Sequence, residues 1–175
     1  MTTDQWQTVF DASQKPLPLD SMLAATPFLA VAIVFWLFRE HPIVRGLYRT
    51  NPLLRGRSGN TVFPLVVGTF ALVWTILAVV FQGWRYVAAQ SALRDGTAQV
   101  VEGPAENFHP MPVTGHDSDR FDVAGVHFEY SDYEITAGFN NTRSHGGPIG
   151  PDSYVRIHYI QPKSPVIVRL EIRVP

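Results

Sequence analysis

The chain has 175 residues, no cysteine and a net charge of −1. This excludes disulfides, thiolate metal sites and cysteine nucleophiles, and it leaves no strongly basic face for nucleic acid. The average hides a division: two long apolar runs dominate up to about Trp84, whereas the part from Arg85 onward is polar and alternating, with eight Lys/Arg against eleven Asp/Glu.

Residues 1–20 read as a short extracytoplasmic segment. Trp6, Val9 and Phe10 in "TTDQWQTVFDASQ" have i, i+3, i+4 spacing, and Thr2 or Thr3 can cap. That predicts a short helix lying on the outer leaflet, with a frayed terminus as the alternative. Asp4, Asp11 and Asp20 against Lys15 make this leader too acidic for a signal peptide. Residues 21–38, "SMLAATPFLAVAIVFWLF", hold no charge. As a helix they cover roughly 27 Å, the thickness of a bilayer core. They are read as the first transmembrane helix, kinked at Pro27 in its second turn.

The loop 39–60 carries Arg39, Arg45, Arg49, Arg55 and Arg57 against Glu40. Short basic loops stay cytoplasmic. Ile43, Val44, Leu47 and Tyr48 can share one helical face beside Arg45 and Arg49, as in an interfacial helix on anionic headgroups; a solvated basic turn is the alternative. Residues 61–84 form the second uncharged run, with Pro64 in its first turn and Trp84 at its end, as Trp36 is at the end of the first. The expectation is a multi-pass protein of a bacterial inner (plasma) membrane, N-out and C-out, with membrane lipid as a partner. The runs hold no Asp, Glu, Lys, Arg or His, so a transporter acting alone is not expected.

Residues 85–96, "RYVAAQSALRDG", continue the helix as a stalk that ends at Asp95-Gly96. From 97 to 175 the period changes to two. Strands are expected in "TAQVVEG" (97–103), "FDVAGVHFEYSD" (121–132), "YEITAGF" (133–139), "YVRIHYI" (154–160) and "VIVRLEIRV" (166–174), the last with Val168, Leu170 and Ile172 on one face. This predicts a two-span helical hairpin followed by a small antiparallel all-β periplasmic domain able to fold without its anchor. The β domain is expected to be an oligonucleotide-binding-like or SH3-like barrel, with a β-sandwich as the alternative.

The loop "GFNNTRSHGGPIGP" (138–151) is the least ordinary text. Its HGG triplet resembles the oxyanion loop of lipase-like hydrolases, but that chemistry needs a G-x-S-x-G elbow. The nearest match, "GRSGN" from Gly56, lacks the spacing and falls on the other side of the membrane. Gly146, Gly147 and Gly150 permit positive φ, so the loop reads as a shaped turn. Asn140, Asn141, Arg143 and His145 then supply polar groups to a partner. His109, in the proline-restricted "ENFHPMP" near Met111, is the further binding candidate. "NNT" matches a glycosylation acceptor. The domain's five histidines show no i, i+2 or i, i+4 spacing, and "GHDSDRFD" lacks the calcium-loop pattern and reads as a solvated acidic loop. No catalytic residue, metal or cofactor is assigned. The reading is an interaction or assembly module, an accessory subunit of an envelope complex whose partner is another membrane or envelope protein. The alternatives are a small-ligand or metal sensor and a hydrolase.

Overall fold

The structure, a computed structural model, describes residues 5–50, 59–161 and 163–174. The expected cap at Thr2 or Thr3, the charge of Asp4 and the arginines Arg55 and Arg57 lie outside the described residues. The chain forms two compact units, Leu17–Gly83 and Met1–Pro16 with Trp84–Pro175.

The unit Leu17–Gly83 is helical. The first apolar run is broken into α1 (Leu19–Met22) and α2 (Thr26–Leu37). Pro27 therefore opens a helix instead of kinking one, because proline lacks the N–H that a helix interior needs. α3 (Pro42–Thr50) follows, and α4 runs from Gly59 to Arg94 with Pro64 inside it. α2 and α4 approach closely at a small-residue contact, where a Cβ on Gly68 would lie 3.3 Å from the Ala32 Cβ. Phe35, Tyr48 and Phe63 join α2, α3 and α4 edge to face. Tyr48 is thus buried and Val44 half-buried, while Ile43 and Leu47, on the same apolar side of α3, stay exposed. Two stretches, Leu19–Leu37 and Thr61–Arg94, are long and apolar enough to cross a membrane. Only 17% and 11% of their most apolar windows are buried, so their apolar side chains find little cover within the chain.

The other unit is an all-antiparallel β domain of two sheets. Its strands are β1 (Gln5–Asp11), β2 (Gln99–Pro104), β3 (Glu106–His109), β4 (Asp119–Val123), β5 (Val126–Tyr130), β6 (Tyr154–Ile160) and β7 (Val166–Val174). One sheet has the order β1-β7-β6-β2 and the other β3-β4-β5.

β1 corrects the expected N-terminal helix. It pairs antiparallel with β7 from Gln5↔Val174 to Asp11↔Arg169, with a bulge between Thr8 and Phe10. The bulge sends Trp6 and Phe10 to opposite faces. Trp6 lies under the Arg156 guanidinium at 4.0 Å, and Phe10 meets Phe139 edge to face. The i, i+4 spacing of Trp6 and Phe10 fits one face of a helix, but a strand offers the same spacing, and here the bulge sets the two rings on opposite faces. At the end of β1, Asp11 accepts from Arg169 Nη2 at 2.7 Å and from Ser13 Oγ at 2.6 Å. Partial burial would raise the Asp11 carboxyl, but these bonds outweigh it and hold the group below the usual carboxylate value.

Three other expectations change. "FDVAGVHFEY" is a hairpin, not one strand: Ala124 (φ +46) and Gly125 (φ +81) form a two-residue turn between β4 and β5. "YEITAGF" is an irregular segment and not a strand. Its Ala137 and Phe139 are buried, while Tyr133 and Ile135 are exposed. Gly138 explains part of this, since a Cβ there would lie 2.8 Å from the Ile167 carbonyl oxygen. Lastly, part of "ENFHPMP", expected as a loop, is β3. The chain passes from one sheet to the other at buried Ala105, whose N–H donates to the Ser153 carbonyl at 2.9 Å.

Phe121, Phe128, Tyr130, Ile157, Ile167 and Leu170 lie in the core between the sheets. The bulge between His158 and Tyr159 leaves Val168 as the extra residue of β7. Val168 therefore leaves the face of Leu170 and joins Ala12, Tyr86, Ala89 and Ala137 in a second cluster. The helical stalk is thus the last turns of α4 packed on the β domain, with Tyr86 and Ala89 buried. It ends as expected: Gly96 takes φ +65, and the N–H groups of Thr97 and Ala98 return to the Ala92 carbonyl.

Candidate functional site

The 138–151 loop is fixed by a buried carboxylate. Asp119 precedes Phe121 and Val123 on the inward face of β4 and is fully buried. Its Oδ1 accepts from the Met111 N–H at 2.8 Å and its Oδ2 from the Arg143 N–H at 2.6 Å. One side chain therefore holds two loops. Buried charge is tolerated only when hydrogen-bonded, and these N–H groups meet that condition. Burial, and then the adjacent Asp119 carboxylate, push the Tyr130 phenol well above its ordinary value. The "GHDSDRFD" stretch is thus only partly the solvated acidic loop expected. Asp119 shares the inward parity of Phe121 and Val123 but lies two residues before the strand expected from Phe121.

After Thr142 the loop makes a single 3-10 turn, Arg143–His145, closed by Gly146 at φ +90. The N–H groups of His145 and Gly147 both return to the Thr142 carbonyl. Gly147 is needed for space and not for positive φ. A Cβ there would lie 2.2 Å from the Asn141 carbonyl oxygen and 2.7 Å from the Thr142 carbonyl carbon. Gly147→Ala is therefore expected to lower unfolding free energy by about 2–4 kcal/mol, as overpacking against backbone does. Gly146→Ala meets open space and only the φ penalty, so about 1 kcal/mol is expected. Denaturant melts of the two variants check the order; equal losses would contradict it.

The candidate residues do not come together in one place. Arg143 donates from Nη1 to the Gly147 carbonyl at 3.2 Å and forms one wall of an open groove of about 610 Å³. Gly150–Tyr154, Ile172 and Arg173 complete that groove, and the Arg173 guanidinium lies 5.1 Å from the Tyr154 ring centre. His145 instead turns to Asp132: its Nδ1 meets Asp132 Oδ2 at 2.5 Å, and Thr142 Oγ1 donates to the same oxygen at 3.2 Å. Asn140 is spent on structure, donating from Nδ2 to the Glu134 carbonyl at 3.1 Å, while Asn141 is exposed. His109 lies on β3 opposite Arg120 and does not line the groove. Arg173, Tyr154 and Asp132 were missed, because only the fold brings them to the loop.

Two guanidinium groups beside an aromatic ring suit a carboxylate or another anion, although Asp152 lines the same groove with the opposing charge. Ser144 Oγ meets Thr142 Oγ1 at 3.4 Å, and the His145 Nδ1 faces Asp132 and Thr142. Among the described residues no group of three His, Asp or Glu is arranged to hold a metal ion. Comparison with protein-family models, with curated proteins and with solved structures finds no match.

Proposed function

We propose that this chain is a membrane-anchored protein whose β domain stands on the extracytoplasmic side and acts as an interaction or assembly module of an envelope complex. The observation that carries this reading is the pairing of β1 with β7. Strands of one sheet lie on one side of any membrane. The chain between them must then cross an even number of times, and its two apolar helices supply two crossings. Arg39, Arg45 and Arg49 lie between those helices, which favours the cytoplasm for that connection and an N-out, C-out arrangement in a bacterial inner membrane. Exposed Ile43 and Leu47 of α3, beside Arg45 and Arg49, suit the inner headgroup layer. The two-sheet layout, entered through the crossing at Ala105, fits a small sandwich better than a closed barrel.

The Arg143–Arg173 groove is the face we assign to a partner, an acidic segment of another membrane or envelope protein. A second reading, capture of a small anionic ligand, draws on the groove's volume, which lies within the range of ligand sites. Arg143→Glu combined with Arg173→Glu in the full chain tests both. Under the interaction reading, cross-links to a membrane partner in intact cells disappear while the melt of the purified protein changes little. Retention of every cross-link would remove the groove from the account, and loss of binding to free dicarboxylates alone would favour the ligand reading.

A further inference from the structure

The segment 131–138 leaves Tyr133 and Ile135 exposed at 54% and 59% while its backbone is held firmly. Lys15 Nζ donates to the carbonyls of Thr136 (3.2 Å) and Gly138 (3.3 Å). Tyr86 Oη donates to the Thr136 carbonyl at 3.2 Å, and Arg85 Nη1 reaches the Ile135 carbonyl at 3.4 Å. These donors have one property in common. Lys15 directly precedes the point where the chain leaves the β domain for the apolar helices, and Arg85 and Tyr86 directly follow the point where it returns. Trp84, 75% exposed, is the first residue of that return.

We propose that the turn Tyr133–Thr136 enters the outer headgroup layer of the bilayer, with Tyr133 and Ile135 as its apolar contacts, a reading that rests on the membrane anchoring proposed above. Chain continuity sets the depth. A loop bonded to the residues at both exits stands at the level where the helices emerge. Those residues are Lys15, Arg85 and Tyr86, with Trp84 next to them in the chain, side chains that favour the interface because their apolar stems and polar tips match its two sides. Two apolar side chains on a fixed turn then gain cover from lipid with little ordering cost, since the turn is already held.

The cysteine-free chain allows a direct test. Single variants Ile135→Cys, Tyr133→Cys, Trp84→Cys, Phe70→Cys and Asp152→Cys of the full chain are labelled with one environment-sensitive dye. They are reconstituted in phosphatidylcholine vesicles containing lipids spin-labelled at a shallow or a deep acyl position. The inference expects shallow quenching and a blue shift at Ile135 and Tyr133 comparable with those at Trp84, deep quenching at Phe70 and neither at Asp152. Emission at Ile135 as aqueous as at Asp152, with Phe70 still deeply quenched, overturns the turn's insertion and leaves the anchoring intact. Equal quenching at Ile135 and Asp152 also overturns it, because the dye alone would then be partitioning. An unquenched Phe70 overturns the anchoring itself.

Discussion

A fragment of residues 97–175 is expected to lose the cooperative melt of the β domain. Two elements from outside that fragment complete the domain. β1 covers the edge of β7, and the end of α4 covers Val168 and Ala137. Without them Phe10, Ala12, Tyr86 and Ala89 no longer bury their surface, and β7 presents an open edge. At roughly 1.5–3 kcal/mol for each large buried side chain, losing Phe10 and Tyr86 alone approaches the lower end of a typical domain stability of about 5–15 kcal/mol. The Asp11–Arg169 ion pair is lost as well. A fusion joining residues 5–16 and 84–175 through a short linker restores both elements and should melt cooperatively, read by strand-type circular dichroism. A cooperative melt of 97–175 alone would contradict the packing described here. In the fused form Leu170→Asp should abolish the transition, since Leu170 is fully buried and the new carboxylate has no designated partner.

Asp119→Ala is expected to be the most damaging single polar substitution. It strands two N–H groups, the buried one of Met111 and the part-buried one of Arg143, each costing about 1–3 kcal/mol when unpaired. The expected loss is about 2–4 kcal/mol, because water can reach the part-buried Arg143 N–H but not the buried Met111 N–H. Asp119→Asn keeps one acceptor and should fall between. Hydrogen exchange separates this pin from a general weakening: the amides of Met111 and Arg143 should lose protection before those of β6. A loss below about 1 kcal/mol would mean the carboxylate's own desolvation cost cancels its bonds, and the loop would not be held as described.

Much of the fold is legible because simple periods survive in it. β2, β6 and most of β7 alternate as half-buried strands must, and the end of α4 is marked by Asp95-Gly96. The failures have physical causes. Trp6, Val9 and Phe10 carry a spacing that a helix also offers, and nothing in the text marks the bulge that separates Trp6 from Phe10 in β1. The turn between β4 and β5 uses Ala124-Gly125, which lacks the Asn-Gly or Asp-Gly text that marks such a turn. The bulge in β7 moved Val168 to the other face, so strict alternation misplaced it. At the site, the glycines announced a shaped loop but not its reasons. Gly146 is there for its φ, Gly147 for space against Asn141, and Asp119, far away in sequence, fixes the path. Arg143 was visible as an exposed cation; Arg173 and Tyr154 reach it only through the pairing of β6 and β7.

The claim on which the rest depends is that β1 and the C-terminal strands share one side of a membrane crossed twice. Single cysteines at Asp152 and Glu40 in the otherwise cysteine-free chain test it with a membrane-impermeant maleimide on spheroplasts. The account predicts rapid labelling at Asp152→Cys, and labelling at Glu40→Cys only after detergent opens the membrane. Labelling of both sites in intact spheroplasts, or of Glu40→Cys alone, would contradict it.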